Sequence, residues 1–396
     1  MRQRLWIISE LFPPDETSTA FILGEIANTM AEKYEVKVIC GPEIYDKRKK
    51  TDPNKMFVLD PEISVTHVKG VDLDKNTFFG KATRFAIISR QLYATAKKRI
   101  KEGDKVLLVT NPAPLVAMLS SLRKKRIFEL NILVHDVFPE NTKPAGLKLP
   151  SWAYRFLKNL FDKAYSRADQ LIALGRDMKQ VLEQKCARVE HHPKVTIIEN
   201  WADLDIVSPM DMPLRSDKIV LEYAGNIGRV QGLQELMENL KESANGNLEF
   251  HLWGTGAAEN HLKDYTQSHK MSNVVFHGAY LRSKQSEVIN SCDLALVTLT
   301  EGMYGLGVPS KTYNIMAAGK AILFIGEPES EIGMLVREKQ IGFVFKPDEK
   351  EDIVRFLASL SKDRQSEFAE MGKRARQVAE TEYAKDIILC KFVQAI

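Results

Sequence analysis

The chain has 396 residues, more than one ordinary core organises, so two domains are expected. Its 44% apolar and 27% charged residues exclude a disordered chain, and a formal charge of +4 excludes the strongly basic balance of a nucleic-acid binder. No uncharged apolar run of about 18 residues occurs, and the opening MRQRLWIISELFPP has neither the apolar length nor the cleavage site of a signal peptide, so no membrane span and no secretion signal are expected.

Short β-branched runs alternate with helix-like segments along the chain. RLWIIS (4–9), YEVKVICG (34–41), ISVTHVKG (63–70), KVLLVTN (105–111), NILVHD (131–136), QLIALG (170–175) and VTIIEN (195–200) read as strands. Several are continuously apolar, as strands covered on both faces are. Between the first two lies TSTAFILGEIANTMAEK, where Ile22, Ile26 and Met30 fall four apart on one helical face. Strand, helix, strand is the pattern of parallel βαβ units. The join, NWADLDIVSPMDMPLRSDK (200–218), is polar, carries two prolines and has no periodicity.

Beyond the join the pattern restarts. KIVLEYAGN (218–226), LEFHLWG (248–254), NVVFHG (273–278), LALVTL (294–299), AILFIG (321–326) and IGFVFK (341–346) read as strands. LQELMENLKES, KQSEVINSC, SKTYNIMAAG and EDIVRFLASLSK read as helices. The expected fold is α/β: two doubly wound domains with a cleft between them, their ligands at the C-terminal ends of strands. Cys40, Cys186, Cys292 and Cys390 lie far apart without metal-ligand spacing, and read as thiols of a reducing cytoplasm.

Six loops are ligand candidates. In ISELFPPDETSTA (8–20), Asp15, Thr17 and Ser18 can cap a helix; the competing reading is a plain capped turn. That loop has no GxGxxG, which argues against a dinucleotide-binding dehydrogenase. In NILVHDVFPEN, His135 and Asp136 end a strand, and Asp136 could instead cap the next segment. In YAGNIGRVQGLQEL, Arg229 sits in a glycine-rich turn before a helix, where backbone N–H groups and a planar cation suit a phosphate; otherwise it is merely solvated. LWGTGAAE places Gly254 and Gly256 after a strand, a weak signal alone. VVFHGAYL ends a strand at His277–Gly278, where backbone groups could meet a base or simply finish the strand.

The sixth loop is EGMYGLGVPSKTYNIMAAG (301–319). Glu301 follows a buried strand, glycines come next, and Pro309 is expected as the first helical residue, with Ser310 and Lys311 in the first turn. A lysine there opposes the helix dipole at a cost of about 0.3–1 kcal/mol, which an anion between dipole and ammonium would offset. Alternatively the lysine points to solvent.

In order and spacing, ELFPPDETSTA, VTNPAPL, HDVFPEN, YAGNIGRVQGLQEL, LWGTGAAE, VVFHGAY and EGMYGLGVPSKTYNIMAAGKAIL resemble the retaining GT-B glycosyltransferases of family 4, of the type that builds bacterial capsule, O-antigen or colanic-acid polysaccharide. The resemblance implies a Rossmann-like acceptor domain over 1–200, a linker over 201–217 and a nucleotide-sugar domain over 218–380. A C-terminal helix over 381–396 would return to the first domain. It implies a hexosyl or N-acetylhexosaminyl transferase using a nucleoside diphosphate sugar, leaning to a UDP-sugar, without a metal. The acceptor would be polyprenyl-diphosphate-linked or a saccharide.

Residue by residue, Glu301 matches the acid that meets the donor sugar hydroxyls, and Arg229 matches the diphosphate-binding arginine. The lysine usual a few residues later is replaced by Gln231, and charge balance assigns its part to Lys311. The N–H groups of Gly305, Leu306, Gly307, Val308 and Ser310 would share the diphosphate. The second acid of the family pattern, which holds the ribose, falls on Asn314, and the spacing is longer than usual. Gly254, His277, Gly278, Ala279 and Tyr280 correspond to the ribose and base region. His135 and Asp136 correspond to the cleft position below the sugar, and Thr17, Ser18 and Thr19 to the loop closing over donor and acceptor. Alternatives are a UDP-sugar 2-epimerase of the same fold and a non-catalytic nucleotide-sugar-binding subunit.

Charge is locally uneven. Residues 81–101 hold seven basic residues and no acid, and 147–167 hold five against Asp162. Trp152, Phe156, Leu160 and Ala164 recur four apart, with Leu157 and Phe161 alongside. Such a helix can lie on anionic lipid, which would put a cytoplasmic enzyme on the inner face of the membrane; or it can pack on the sheet.

Overall fold

Among the residues described by the computed structural model (2–42, 57–70, 78–189, 191–211 and 217–396), a strand forms at every apolar run marked above. Residues 212–216 of the expected linker and the side chain of Lys81 lie outside that description.

By its internal contacts the chain divides into two compact units: Met1–Thr142, Lys148–Ile198 and Leu389–Ile396 form one, Lys143–Leu147 and Glu199–Ile388 the other. The first contains β1 (Arg4–Ser9), β2 (Glu35–Cys40), β3 (Ser64–His67), β4 (Lys105–Val109), β5 (Glu129–Leu133), β6 (Gln170–Ala173) and β7 (Lys194–Ile197). These pair, all parallel, in the order β3-β2-β1-β4-β5-β6-β7. Its helices are α1 (Ser18–Ala31), α2 (Phe78–Arg99), α3 (Pro114–Leu122), α4 (Ser151–Tyr165) and α5 (Arg176–Cys186). Leu5, Ile7, Ile8, Leu107, Leu130 and Ile132 have no exposed surface, which explains the continuous apolar strands.

The second unit contains β8 (Ile219–Ala224), β9 (Leu248–Trp253), β10 (Val274–Gly278), β11 (Leu294–Thr298), β12 (Ala321–Ile325) and β13 (Gly342–Phe345). They pair parallel in the order β10-β9-β8-β11-β12-β13. Its helices are α6 (Leu233–Ser243), α7 (Glu259–Ser268), α8 (Gln285–Asn290), α9 (Lys311–Ala317), α10 (Glu331–Glu338), α11 (Lys350–Ala358) and α12 (Gln365–Glu382). Leu221, Tyr223, Phe250, Leu252, Leu294, Leu296 and Leu323 form the centre of one core. Burying each such leucine stabilises by about 1.5–3 kcal/mol. A final helix, α13 (Lys385–Ala395), leads to residues that join the first unit: Tyr34 Oη donates to Ile396 O at 2.8 Å.

Local readings needed revision. The buried stripe of α1 is Leu23, Ile26, Ala27 and Met30; Ile22 sits at its margin. The segment read as a linker from 201 is pinned to the second unit: Asn290 Nδ2 donates to Ser208 O at 2.9 Å, and Met210 N donates to Asn290 Oδ1 at 3.1 Å. α9 starts at Lys311, not Pro309, because Pro309 and Ser310 still belong to the loop. α4 buries Phe161, Ala164 and Tyr165 and leaves Trp152, Phe156 and Leu160 exposed, so the series divides: its last member is buried and its first three are not packed against the protein.

Candidate active site

In each sheet the chain order reverses beside its first strand: between β1 and β4 in one unit, between β8 and β11 in the other. Loops leaving the strand ends there diverge to opposite faces and open a crevice. Most of the marked residues sit at one of these two edges.

In the second unit, β8 runs into Gly225, with φ +149°, and then into the turn that carries Arg229. Gly225 N donates to Trp253 O at 2.8 Å, and Gly254 N to Gly278 O at 2.7 Å, so three successive strand ends are tied by backbone. A Cβ on Gly254 would lie 1.8 Å from Gly225 O, and Gly254 has φ +127°; only glycine fits. Thr300 N donates to Val230 O at 2.9 Å. That bond joins the Arg229 turn to the Glu301 loop through the residues next to each. Arg229 and Glu301 are both exposed. Glu301 lines a pocket of about 160 Å³ with Gly232, Glu235, Thr298, Thr300 and Asp348.

Lys311 is not solvated. Its Nζ lies 3.4 Å from the centroid of the Tyr223 ring, sealed from water and without a hydrogen-bond partner. A Cβ on Gly225 would stand 2.7 Å from that Nζ, so glycine at 225 makes room for it. Burial lowers the Lys311 pKa to about 7. The Tyr223 ring face opposes this by favouring the ammonium. An unpaired buried cation is costly, so this site is built for an anion or for the neutral amine.

The glycine loop is partly sealed as well. Gly305 is buried with φ +66°, Leu306 is buried, and Gly307, Val308 and Ser310 are half-buried. Asn314, expected at the ribose, has its Oδ1 engaged: Asp203 N donates to it at 2.9 Å. Its amide nitrogen is what remains for a ligand. Asp203 in turn meets Arg282 at 2.9 Å, and burial raises its pKa.

His277 stacks on Trp253, ring centroids 4.0 Å apart and 8° from parallel. Tyr280 meets the same indole edge-on at 6.2 Å. Burial pushes the Tyr280 hydroxyl up to about 12. Gly278 has φ +76° and Ala279 is exposed. Trp253 Nε1 and Thr298 Oγ1 are buried without hydrogen-bond partners.

The first unit brings Thr19 and His135 together: Thr19 Oγ1 lies 3.5 Å from His135 Nδ1. Thr17 is the N-cap, accepting from Ala20 N, Asp15 accepts from Thr17 N, and Ser18 is the exposed first helical residue. His135 Nε2 is buried without a partner, and burial lowers the ring's pKa to about 4, so it is neutral at neutral pH. Thr110 Oγ1 accepts from both His135 N, at 3.1 Å, and Asp136 N, at 3.3 Å. Asp136 itself is exposed. At the same edge Glu10 and Arg84, both buried, pair at 2.6 Å.

Sequence reasoning did not single out Thr110, Glu10, Tyr223, Gly225 or Trp253. Tyr223 and Gly225 had a usable signal, since both flank the strand end before the marked turn. Glu10 and Arg84 are 74 residues apart (84 − 10) and meet only through the fold.

Two parallel-sheet α/β units with glycine-rich loops at the strand ends are the architecture of the GT-B fold. The model for "Glycosyl transferases group 1" matches residues 210–378. "Probable glycosyltransferase WbjE" of Pseudomonas aeruginosa is 30% identical, covering 99% of this chain and 97% of that protein. The chain therefore belongs to the group 1 glycosyltransferases. "Putative colanic acid biosynthesis glycosyl transferase WcaI" of Escherichia coli is 26% identical over 42% of this chain and 43% of its own length. HepE of Anabaena, solved in complex with UDP, shares the fold at TM-score 0.68 and 14% identity, covering 100% of this chain and 99% of that one.

Proposed function

We propose that the protein transfers a sugar from a nucleoside diphosphate sugar, a UDP-sugar, to a lipid-linked or saccharide acceptor in bacterial surface polysaccharide synthesis, at the cytoplasmic face of the membrane. The observation that carries the donor half is Lys311: a buried, unpartnered amine at the strand switch of the second unit. A diphosphate supplies the missing charge. The colanic-acid role named for WcaI and the UDP held by HepE support the wider reading.

In this reading Arg229, Lys311 and the N–H groups from Gly305 to Ser310 hold the diphosphate, where charge develops as the donor bond breaks. Glu301 orients the donor sugar. His277 to Tyr280 offer backbone groups to the base, with Gly254 allowing close approach, and the Asn314 amide reaches the ribose. Thr17 to Thr19, His135 and Asp136 serve the sugar and the acceptor. The sugar C1–O bond to the diphosphate breaks and a C1–O bond to the acceptor forms on the same face. The acceptor proton passes to the departing phosphate oxygen. No metal is required in this scheme.

The test is a thermal-shift panel of nucleotide sugars, followed by turnover with the best donor, with and without chelator. Anomeric configuration of the product is read by NMR. A UDP-sugar shift and a retained anomer support the reading. Isomerisation of the donor without acceptor, or inversion, contradicts it.

A further inference from the structure

The outer side of α4 presents two parallel rows. Trp152, Phe156 and Leu160 form one, 71%, 64% and 38% exposed. Arg155, Asn159 and Lys163, also exposed, form the other. Residues four apart stack on one helix face, so each row runs for roughly 12 Å. Single exposed apolar residues are ordinary; an aromatic row on one helix is not.

The exposed charge of α2, α3 and α4 has one sign; α5, which also packs against α4, carries Glu183, exposed and paired with Lys179 at 3.7 Å. α2 packs against α3, and α3 against α4. α2 and α3 contain no Asp or Glu, and the one acid of α4, Asp162, is buried against Lys158 and Lys185. Arg90, Lys97, Lys98 and Arg99 of α2 are exposed, as are Lys124 and Lys125 just after α3. Among the described residues no helix is long and apolar enough to cross a membrane.

We propose that this three-helix face docks on an anionic bilayer surface, with Trp152, Phe156 and Leu160 entering the headgroup layer and the basic residues meeting lipid phosphates. Aromatic rings with cationic neighbours settle at that depth. A basic field spread over α2, α4 and the segment just after α3 matches an extended anionic plane better than one acidic partner protein. The proposal deepens the lipid-linked-acceptor reading and rests on it, since docking would bring the enzyme to such an acceptor.

The test is flotation of the full chain with vesicles of phosphatidylcholine alone and of equimolar phosphatidylcholine and phosphatidylglycerol. The protein should float with the second and not the first, and added salt should release it. Trp152→Glu with Phe156→Glu, and separately Arg155→Glu with Lys163→Glu, should each lower binding by about tenfold or more. All four positions are exposed, and an unchanged UDP-sugar thermal shift verifies folding in each variant. No flotation of the unaltered protein, or equal flotation of all variants, overturns the docking face. Flotation without turnover on any lipid-linked acceptor overturns the acceptor reading and leaves the docking face standing.

Discussion

At equivalent edges of two similar sheets, the two units bury different bases. The first holds His135, neutral because burial has lowered its pKa to about 4. The second holds Lys311, balanced near neutrality with a pKa of about 7. Both have a buried nitrogen without a hydrogen-bond partner. A histidine held that low stays uncharged when something binds, whereas an amine near 7 is only partly charged at neutral pH and completes its protonation when an anion arrives. In the proposed reading the second edge is the anion site and the first a neutral one.

The largest effect should come from Glu301→Ala. Turnover is expected to fall on the order of 10²-fold or more, while UDP-sugar affinity from calorimetry changes little. Full turnover in that variant would remove Glu301 from the site.

Lys311→Met should weaken UDP-sugar binding by roughly 10- to 100-fold, the worth of a charge-assisted contact of about 1.5–3 kcal/mol. The same change should raise the melting temperature of the unliganded protein, because the buried amine loses its desolvation cost. The pH sign follows. The unfolded chain keeps this proton up to about pH 10.5, the folded chain only up to about 7. Between those values the unfolded state binds more protons, so stability rises with pH across that window. Lys311→Met should flatten that rise in a denaturation series. A lower melting temperature in the variant would mean the lysine is a structural prop.

Gly254→Ala should destabilise by about 2 kcal/mol or more, from the positive φ and the clash with Gly225 O. Urea denaturation reads it directly. The smallest effect concerns His135. With its pKa about 4, the rate profile should show no limb near pH 6.5 from this residue, and His135→Gln should leave the profile's shape unchanged between pH 5.5 and 8 while its height changes. A limb near 6.5 that vanishes in the variant would place a titrating histidine at the neutral edge.

The strands were legible throughout, because a parallel sheet covered on both faces writes itself as uninterrupted apolar runs such as LALVTL. The helices were less so: α5, α7, α10 and α12 carry mixed, polar-rich stretches whose burial depends on what lies beneath. Glycine loops and the Arg229 and Glu301 positions were visible as strand-to-helix punctuation. The burial of Lys311 was not, because it depends on the Tyr223 ring and the missing side chain of Gly225, 86 residues away (311 − 225). Asn314 illustrates the converse: counting from Gly319 located it, but its tie to Asp203 comes from a segment that read as a linker.

The most direct measurement is proton uptake on donor binding, from calorimetry of UDP-sugar at pH 8 in buffers of different ionisation enthalpy. The sugar diester does not titrate in this range, so the signal belongs to the protein. With Lys311 near 7, roughly one proton should be taken up per site, and none in Lys311→Met. Binding without proton uptake, or the same uptake in the variant, would contradict an anion received by Lys311.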